Sequence, residues 1–208
     1  MQIYIVRHGE TALNSKGVLQ GRINEPLNQS GRELAEITGK AMKGIHFDCC
    51  ISSPLDRAME TAKIILRESG NDIPIDTDDR IVEMDFGDLD EKELTEMGED
   101  GLDFFYAPFH FAGFPNGETI QDVCDRTQDF LKELIAKDDG KTYLISTHGC
   151  AMRGMVNYLT DKPGDYWLGH APYNCSFTIV EAEGGKAHIT DIDKVYYDPG
   201  LIVDHYNK

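Results

Sequence analysis

Two histidines stand directly after short apolar runs and directly before glycines, in Ile3-Tyr4-Ile5-Val6-Arg7-His8-Gly9 and in Tyr143-Leu144-Ile145-Ser146-Thr147-His148-Gly149. Runs of this kind read as buried strands, and glycine lets the backbone turn sharply where a strand ends. Two such transitions predict two imidazoles at the same edge of one sheet. An imidazole has the ordinary pKa of a nucleophile at neutral pH, and Arg7 sets a fixed cation beside His8. A neutral ring inside an anion pocket suits capture of a phosphoryl group. Either histidine alone would fit a structural role as well; the pair points to chemistry.

A third segment follows the same logic. Cys49-Cys50-Ile51-Ser52 reads as a short buried strand, and Ser53-Pro54-Leu55-Asp56-Arg57 opens a helix with Pro54 near its first turn. Arg57 then lies at the positive end of the helix dipole, where a cation is unfavourable unless an anion binds beside it. The alternative is a surface ion pair with Glu60 or Asp56.

Stepping these residues into register requires a sheet with helices around it. Strands are predicted at 2–6, 48–52, 73–76, 142–146, 176–181 and 187–192, and helices at about 30–43, 54–69, 117–137 and 149–159. That alternation gives an α/β fold of three layers, a mostly parallel central sheet with helices on both faces, whose ligands bind beyond the carboxyl ends of the strands. His8 and His148 both fall at such ends. The 208 residues, 40% of them hydrophobic, suffice for one domain, 1–208, with a cap-like insertion at about 84–116. The insertion is acidic early (Asp85, Asp88, Asp90, Glu91, Glu93) and aromatic later (Phe104, Phe105, Tyr106, Phe109, Phe111, Phe114). Its rings either pack the insertion onto the domain or form apolar contact surface for a substrate.

Arg7-His8-Gly9-Glu10-Thr11 with Asn14, Gln20-Gly21, Pro26-Leu27 and Ser30-Gly31 comes first in the chain. Ser52-Ser53-Pro54-Leu55-x-Arg57-Ala58-x-Glu60-Thr61-Ala62, Glu83 with Phe86-Gly87, Gly117-Glu118-Thr119 and His148-Gly149 follow. In this order, from residue 3 to about 181, the blocks resemble the histidine phosphatase superfamily, the group that includes the cofactor-dependent phosphoglycerate mutases.

The resemblance implies that His8 is the nucleophile, carrying a phosphohistidine that water later cleaves. For that its attacking nitrogen must be unprotonated while the other ring N–H is held by an acceptor, most simply a backbone carbonyl. Arg7, Arg57 and His148 would clamp the phosphoryl oxygens, on which the transition-state charge resides. Asn14, Gly149 and the backbone around Gln20-Gly21 would add neutral contacts to the same anion; Gln20 reads equally as a turn former. Glu83 would be the general acid that protonates the leaving alcohol. Spacing alone does not separate Glu83 from Asp85, and the resemblance selects Glu83. No metal spacing is present among the histidines and carboxylates, and the implied mechanism requires neither metal nor other cofactor.

Departures from the family bear on the substrate. Leu13 and Leu89 stand where relatives commonly have tryptophan, which removes aromatic surface near the pocket mouth, and Asn24 replaces a frequent aspartate. Mutases of the family usually carry a longer segment between the general acid and the Gly-Glu-Ser/Thr block; here it is residues 84–116, 33 in all. A more open pocket favours water as acceptor, hence a phosphomonoesterase over a mutase. A module that binds phosphorylated ligands without turnover is the rival from another class, and such a binder would need neither His8 nor a general acid.

The net charge of −17 argues against nucleic acid or an anionic membrane as partner and leaves a small phosphorylated metabolite, held by local cations. Five cysteines without a Cys-x-x-Cys pair, no signal peptide and no membrane-length apolar run lead to the expectation of a reducing, cytoplasmic setting. Oligomeric state is not encoded in any feature of the sequence.

Overall fold

A computed structural model describes residues 1–98 and 102–202. The elements run β1 (Gln2–Arg7), α1 (Ala12–Lys16), α2 (Gln29–Ala41), β2 (Cys49–Ser52), α3 (Asp56–Ser69), β3 (Ile75–Thr77), α4 (Leu102–Tyr106) and α5 (Ile120–Ala136). β4 (Thr142–Thr147), α6 (Gly149–Val156), β5 (Phe177–Glu183) and β6 (Lys186–Lys194) follow, with short 3-10 turns at Asp79–Ile81, Gly87–Leu89, Leu94–Met97, Asn157–Leu159 and Pro199–Leu201. Six strands form one sheet in the order β3-β2-β4-β1-β5-β6. The pairs on the β3 side up to β4 and β1 are parallel; β1 with β5 and β5 with β6 are antiparallel.

Alternation along β1 sends side chains to two cores. Ile3 and Ile5 join Leu131, Leu134, Ile145 and Met155 beneath α5 and α6, while Val6 joins Phe47, Ala62, Ile65 and Leu144 beneath α3. Each of the large apolar side chains fully buried here contributes roughly 1.5–3 kcal/mol. Helices therefore cover both faces, and the register Arg7↔Thr147 and Ser52↔Ser146 brings the residues that follow, His8, His148 and Ser53, to one edge.

Caps move several predicted boundaries. Thr119 caps α5 reciprocally with Asp122, so that helix starts at Ile120 rather than 117; Leu55 is the cap of α3, which leaves Pro54 ahead of the helix. The predicted helix 149–159 tightens into a 3-10 turn after Val156. The predicted strand at 73–76 narrows to Ile75–Thr77, and β5 and β6 extend beyond their predicted ends. α1 was not foreseen: five residues give no helical period, and a capping box between Thr11 and Asn14 holds it. Two glycines meet where α2 crosses the turn after β1. A Cβ on Gly9 would lie 2.6 Å from the Gly31 carbonyl oxygen, and one on Gly31 would strike the backbone of Glu10. Among the described residues no helix is long and apolar enough to cross a membrane.

Candidate active site

His8 occupies the turn that leaves β1. Its backbone N–H donates to the Thr147 carbonyl (3.0 Å), and its carbonyl accepts from Asn174 Nδ2 (3.0 Å) and the Cys175 N–H (3.3 Å). With Nδ1 2.7 Å from the Gly9 carbonyl, which can only accept, the ring proton sits on Nδ1 and Nε2 keeps its lone pair. This is the backbone acceptor expected from the sequence. Burial first, then the Arg57 and Arg7 guanidiniums, hold the His8 pKa well below its ordinary 6.5, so the ring is neutral.

His148 lies beside it, ring centroids 5.2 Å apart with the planes at 59°. Arg57 Nε donates to His148 Nδ1 (3.2 Å), which leaves the proton on Nε2, 2.7 Å from Ser53 Oγ. Burial and Arg57 depress this imidazole too. Arg57 is fully buried; its Nη1 donates to the Ile23 carbonyl (2.7 Å) and Nη2 to the Gly21 carbonyl (2.6 Å). Arg57 and His148 are fully buried and do not border the neighbouring cavity, and Arg57 ties the 21–23 loop to the second histidine.

That cavity is bordered at its polar end by Arg7, His8, Asn14, Gln20, Glu83 and Gly149. Arg7 Nη1 donates to the Pro172 carbonyl, which aims the guanidinium from the far side of the site. Glu83 rests on the N-terminus of α6: Oε1 accepts from Met84 N–H (2.9 Å) and Ala151 N–H (3.1 Å), and Oε2 from Cys150 N–H (3.3 Å). A Cβ on Gly149 would lie 3.6 Å from Glu83 Oε2 and 3.7 Å from Arg7 Nε, so this glycine separates the two groups by little more than backbone. Asp85, the other carboxylate of its segment, is turned to the Gly87 N–H (2.9 Å) and Arg22 (3.8 Å) and does not border the cavity.

Gly21 departs from its expected place. Its N–H is taken by Asp90 Oδ1 at 2.7 Å and its carbonyl by Arg57, so its polar groups serve the protein rather than a bound anion. The residue is glycine for closeness: a Cβ would come within 2.7 Å of the Met84 carbonyl oxygen.

The opposite wall is apolar: Leu19, Phe86, Phe104, Phe105, Trp167, Ala171 and the buried Cys150. Phe86, Phe104 and Phe105 come from the aromatic insertion, which therefore both packs on the domain and faces the cavity; Phe111 and Phe114 only pack, and Tyr106 is exposed. Trp167 was missed by sequence reasoning. It donates from Nε1 to the Phe104 carbonyl (2.8 Å) and lies nearly parallel to Phe105 at 5.8 Å, while Tyr166 hydroxyl donates to the Cys150 carbonyl (2.6 Å). Its one signal was a tryptophan between proline- and glycine-containing turns. Also unforeseen, Arg126 braces the backbone that presents Glu83, donating to the carbonyls of Val82 (2.7 Å) and Glu83 (3.1 Å) while paired with Glu118 (2.9 Å).

Residues 3–194 match the family described as histidine phosphatase superfamily (branch 1). A protein of Salmonella choleraesuis named "Probable phosphoglycerate mutase GpmB" is 31% identical over 184 residues, 87% of this chain and 85% of its own. The structure of Bacillus stearothermophilus YhfR superposes with a TM-score of 0.84 at 32% identity, over 93% of this chain and 97% of that one. The alpha-ribazole phosphatase from Shigella flexneri has the same fold, with a TM-score of 0.80 at 23% identity over 93% and 96% of the two chains.

Proposed function

Because the chain belongs to the histidine phosphatase superfamily, a family of phosphatases and mutases, we propose that it hydrolyses small phosphomonoesters through a phosphohistidine on His8. The lone pair on His8 Nε2 attacks phosphorus as the ester P–O bond breaks, and Glu83 gives its proton to the departing alcohol oxygen. The Nδ1–H···O=C bond to Gly9 steadies the positive charge that the ring then carries. Arg7 and the amides of Asn14 and Gln20 meet the three phosphoryl oxygens, and Arg57 and His148 support them from the layer behind. Water next attacks the phosphohistidine, the Glu83 carboxylate takes its proton, the P–N bond breaks and inorganic phosphate leaves.

One observation carries hydrolysis over mutase transfer. Among the described residues that border the cavity, Arg7 is the single cation, and the wall facing the phosphoryl end is Leu19, Phe86, Phe104, Phe105 and Trp167. A phosphoglycerate brings a carboxylate besides its ester, and a bisphosphate a second dianion; no lysine or arginine waits there for either. The alcohol that fits is uncharged and carries apolar surface.

The test is rapid-quench intact-mass analysis with an aryl phosphate, alongside release of alcohol and inorganic phosphate. One added phosphoryl group, absent in His8→Ala, with alcohol and phosphate released in equal amounts, is the expected result. An adduct on another side chain, or interconversion of phosphoglycerate isomers without phosphate release, would overturn it. Absence of turnover on a varied ester panel from about pH 5 to 8 would leave a phosphate-binding module instead.

A further inference from the structure

Gln20 and Asn14 both border the cavity, and each carries a side-chain amide, a group with a donor end and an acceptor end of nearly the same shape. Only the donor end helps a phosphoryl dianion; the acceptor end repels it. Thr11, the cap of α1, meets both amides. Its hydroxyl oxygen accepts the Asn14 backbone N–H (3.1 Å), and the one acceptor its own proton reaches among the described residues is Gln20 Oε1, at 2.6 Å. Thr11 is fully buried, so water does not take that proton and leaving it unbonded is costly. Its backbone N–H, which can only donate, faces Asn14 Oδ1 at 3.3 Å, with Asn174 Nδ2 as a second donor at 3.4 Å. Both amide oxygens are thereby drawn onto the protein, and Gln20 Nε2 is left buried without a hydrogen-bond partner among the described residues.

Resting on the reading of this cavity as a phosphoryl seat, we propose that Thr11 is a positioning residue that fixes the polarity of the site, holding the Gln20 amide with its NH₂ toward the ligand. A donor already turned toward the anion needs no reorganisation when charge develops.

A double-mutant cycle reads this directly. kcat/KM for p-nitrophenyl phosphate and calorimetric binding of inorganic phosphate are measured for the wild type, Thr11→Val, Gln20→Leu and the double variant. Thr11→Val is expected to weaken both about tenfold, a part of the ~10²–10³ that outright loss of a preorganised donor costs. Thr11→Ser, which keeps the hydroxyl, restores most of it, and Thr11→Val adds little once Gln20 is leucine. Equal loss in both backgrounds means that Thr11 only caps α1 and overturns the proposal, as does no loss at all. Should Thr11→Val fail to fold, Gln20→Glu takes its place: Thr11 holds one carboxylate oxygen and the other faces the cavity, so phosphate binding falls below that of Gln20→Leu, and equal binding overturns the proposal. Phosphate binding that follows the cycle without turnover of any ester ends the hydrolase reading alone. Turnover without coupling ends the role of Thr11 alone, and no phosphate binding ends both.

Discussion

The two ends of the cavity are built by opposite means. At the polar end, His8 and His148 follow adjacent parallel strands in register, and the hydrogen bonds that set their rings go to backbone or to buried groups: Gly9 for His8, Arg57 and Ser53 for His148. At the aromatic end, side chains arrive from α4, from a 3-10 turn and from the 166–171 loop, held to one another by ring packing and by one bond from Trp167 to the Phe104 carbonyl. Chemistry needs fixed tautomers and aimed donors, which a sheet edge supplies; choice of alcohol needs shape, which loops supply at small cost to the sheet.

The contrast breaks first at His8. Replacing it by alanine is expected to lower kcat/KM by about 10⁴-fold or more on every ester, with the folded state intact by near-ultraviolet circular dichroism. A residual rate within tenfold of wild type would place the nucleophile elsewhere. Glu83→Gln comes next, at about 10²–10⁴-fold on an alkyl phosphate. The loss should shrink on p-nitrophenyl phosphate, whose leaving group departs without a proton; an equal loss on both would assign Glu83 to binding rather than to proton transfer.

At the other end, Trp167→Leu is expected to raise KM for naphthyl phosphate about tenfold, the scale of one partly lost apolar contact, and to leave glycerol phosphate unchanged. If both esters suffer alike, the aromatic wall is scaffold and not a selector. The smallest effect concerns acid. His8 and His148 are neutral when folded, with pKa values depressed below the ordinary 6.5, so the unfolded chain binds more protons once pH drops through 6.5. Stability contributed by these rings is complete above that value and declines below it, until the depressed pKa values are reached. Denaturant midpoints should therefore fall from pH 7 to 5; midpoints that hold level or rise over that range would show that these rings are not held neutral in the folded state.

Much of the polar end was legible because strand, histidine and glycine are adjacent in sequence, and adjacency in sequence at a strand end is adjacency in space. The choice of Glu83 over Asp85 came from resemblance; in the fold the two carboxylates are set apart, the first N–H groups of α6 engaging Glu83 at the cavity while Arg22 and Gly87 engage Asp85 away from it. Gly21 was misplaced because neither Asp90 nor Arg57 is near it in the chain. Trp167 touches Phe104 across 63 positions, and no local period announces such a contact. Bulky rings in the insertion were visible, but which of them face inward depends on a partner loop that sequence spacing does not locate.

The facing pair Gly9 and Gly31 carries a consequence for how variants of this protein would be read. Position 31 does not border the cavity, yet any side chain there levers α2 away from the segment that follows His8. In a saturation library scored by growth or turnover, it would score as intolerant as His8, the proposed nucleophile. Scored by abundance the two would part company, Gly31 variants vanishing from the soluble fraction and His8 variants persisting at full level.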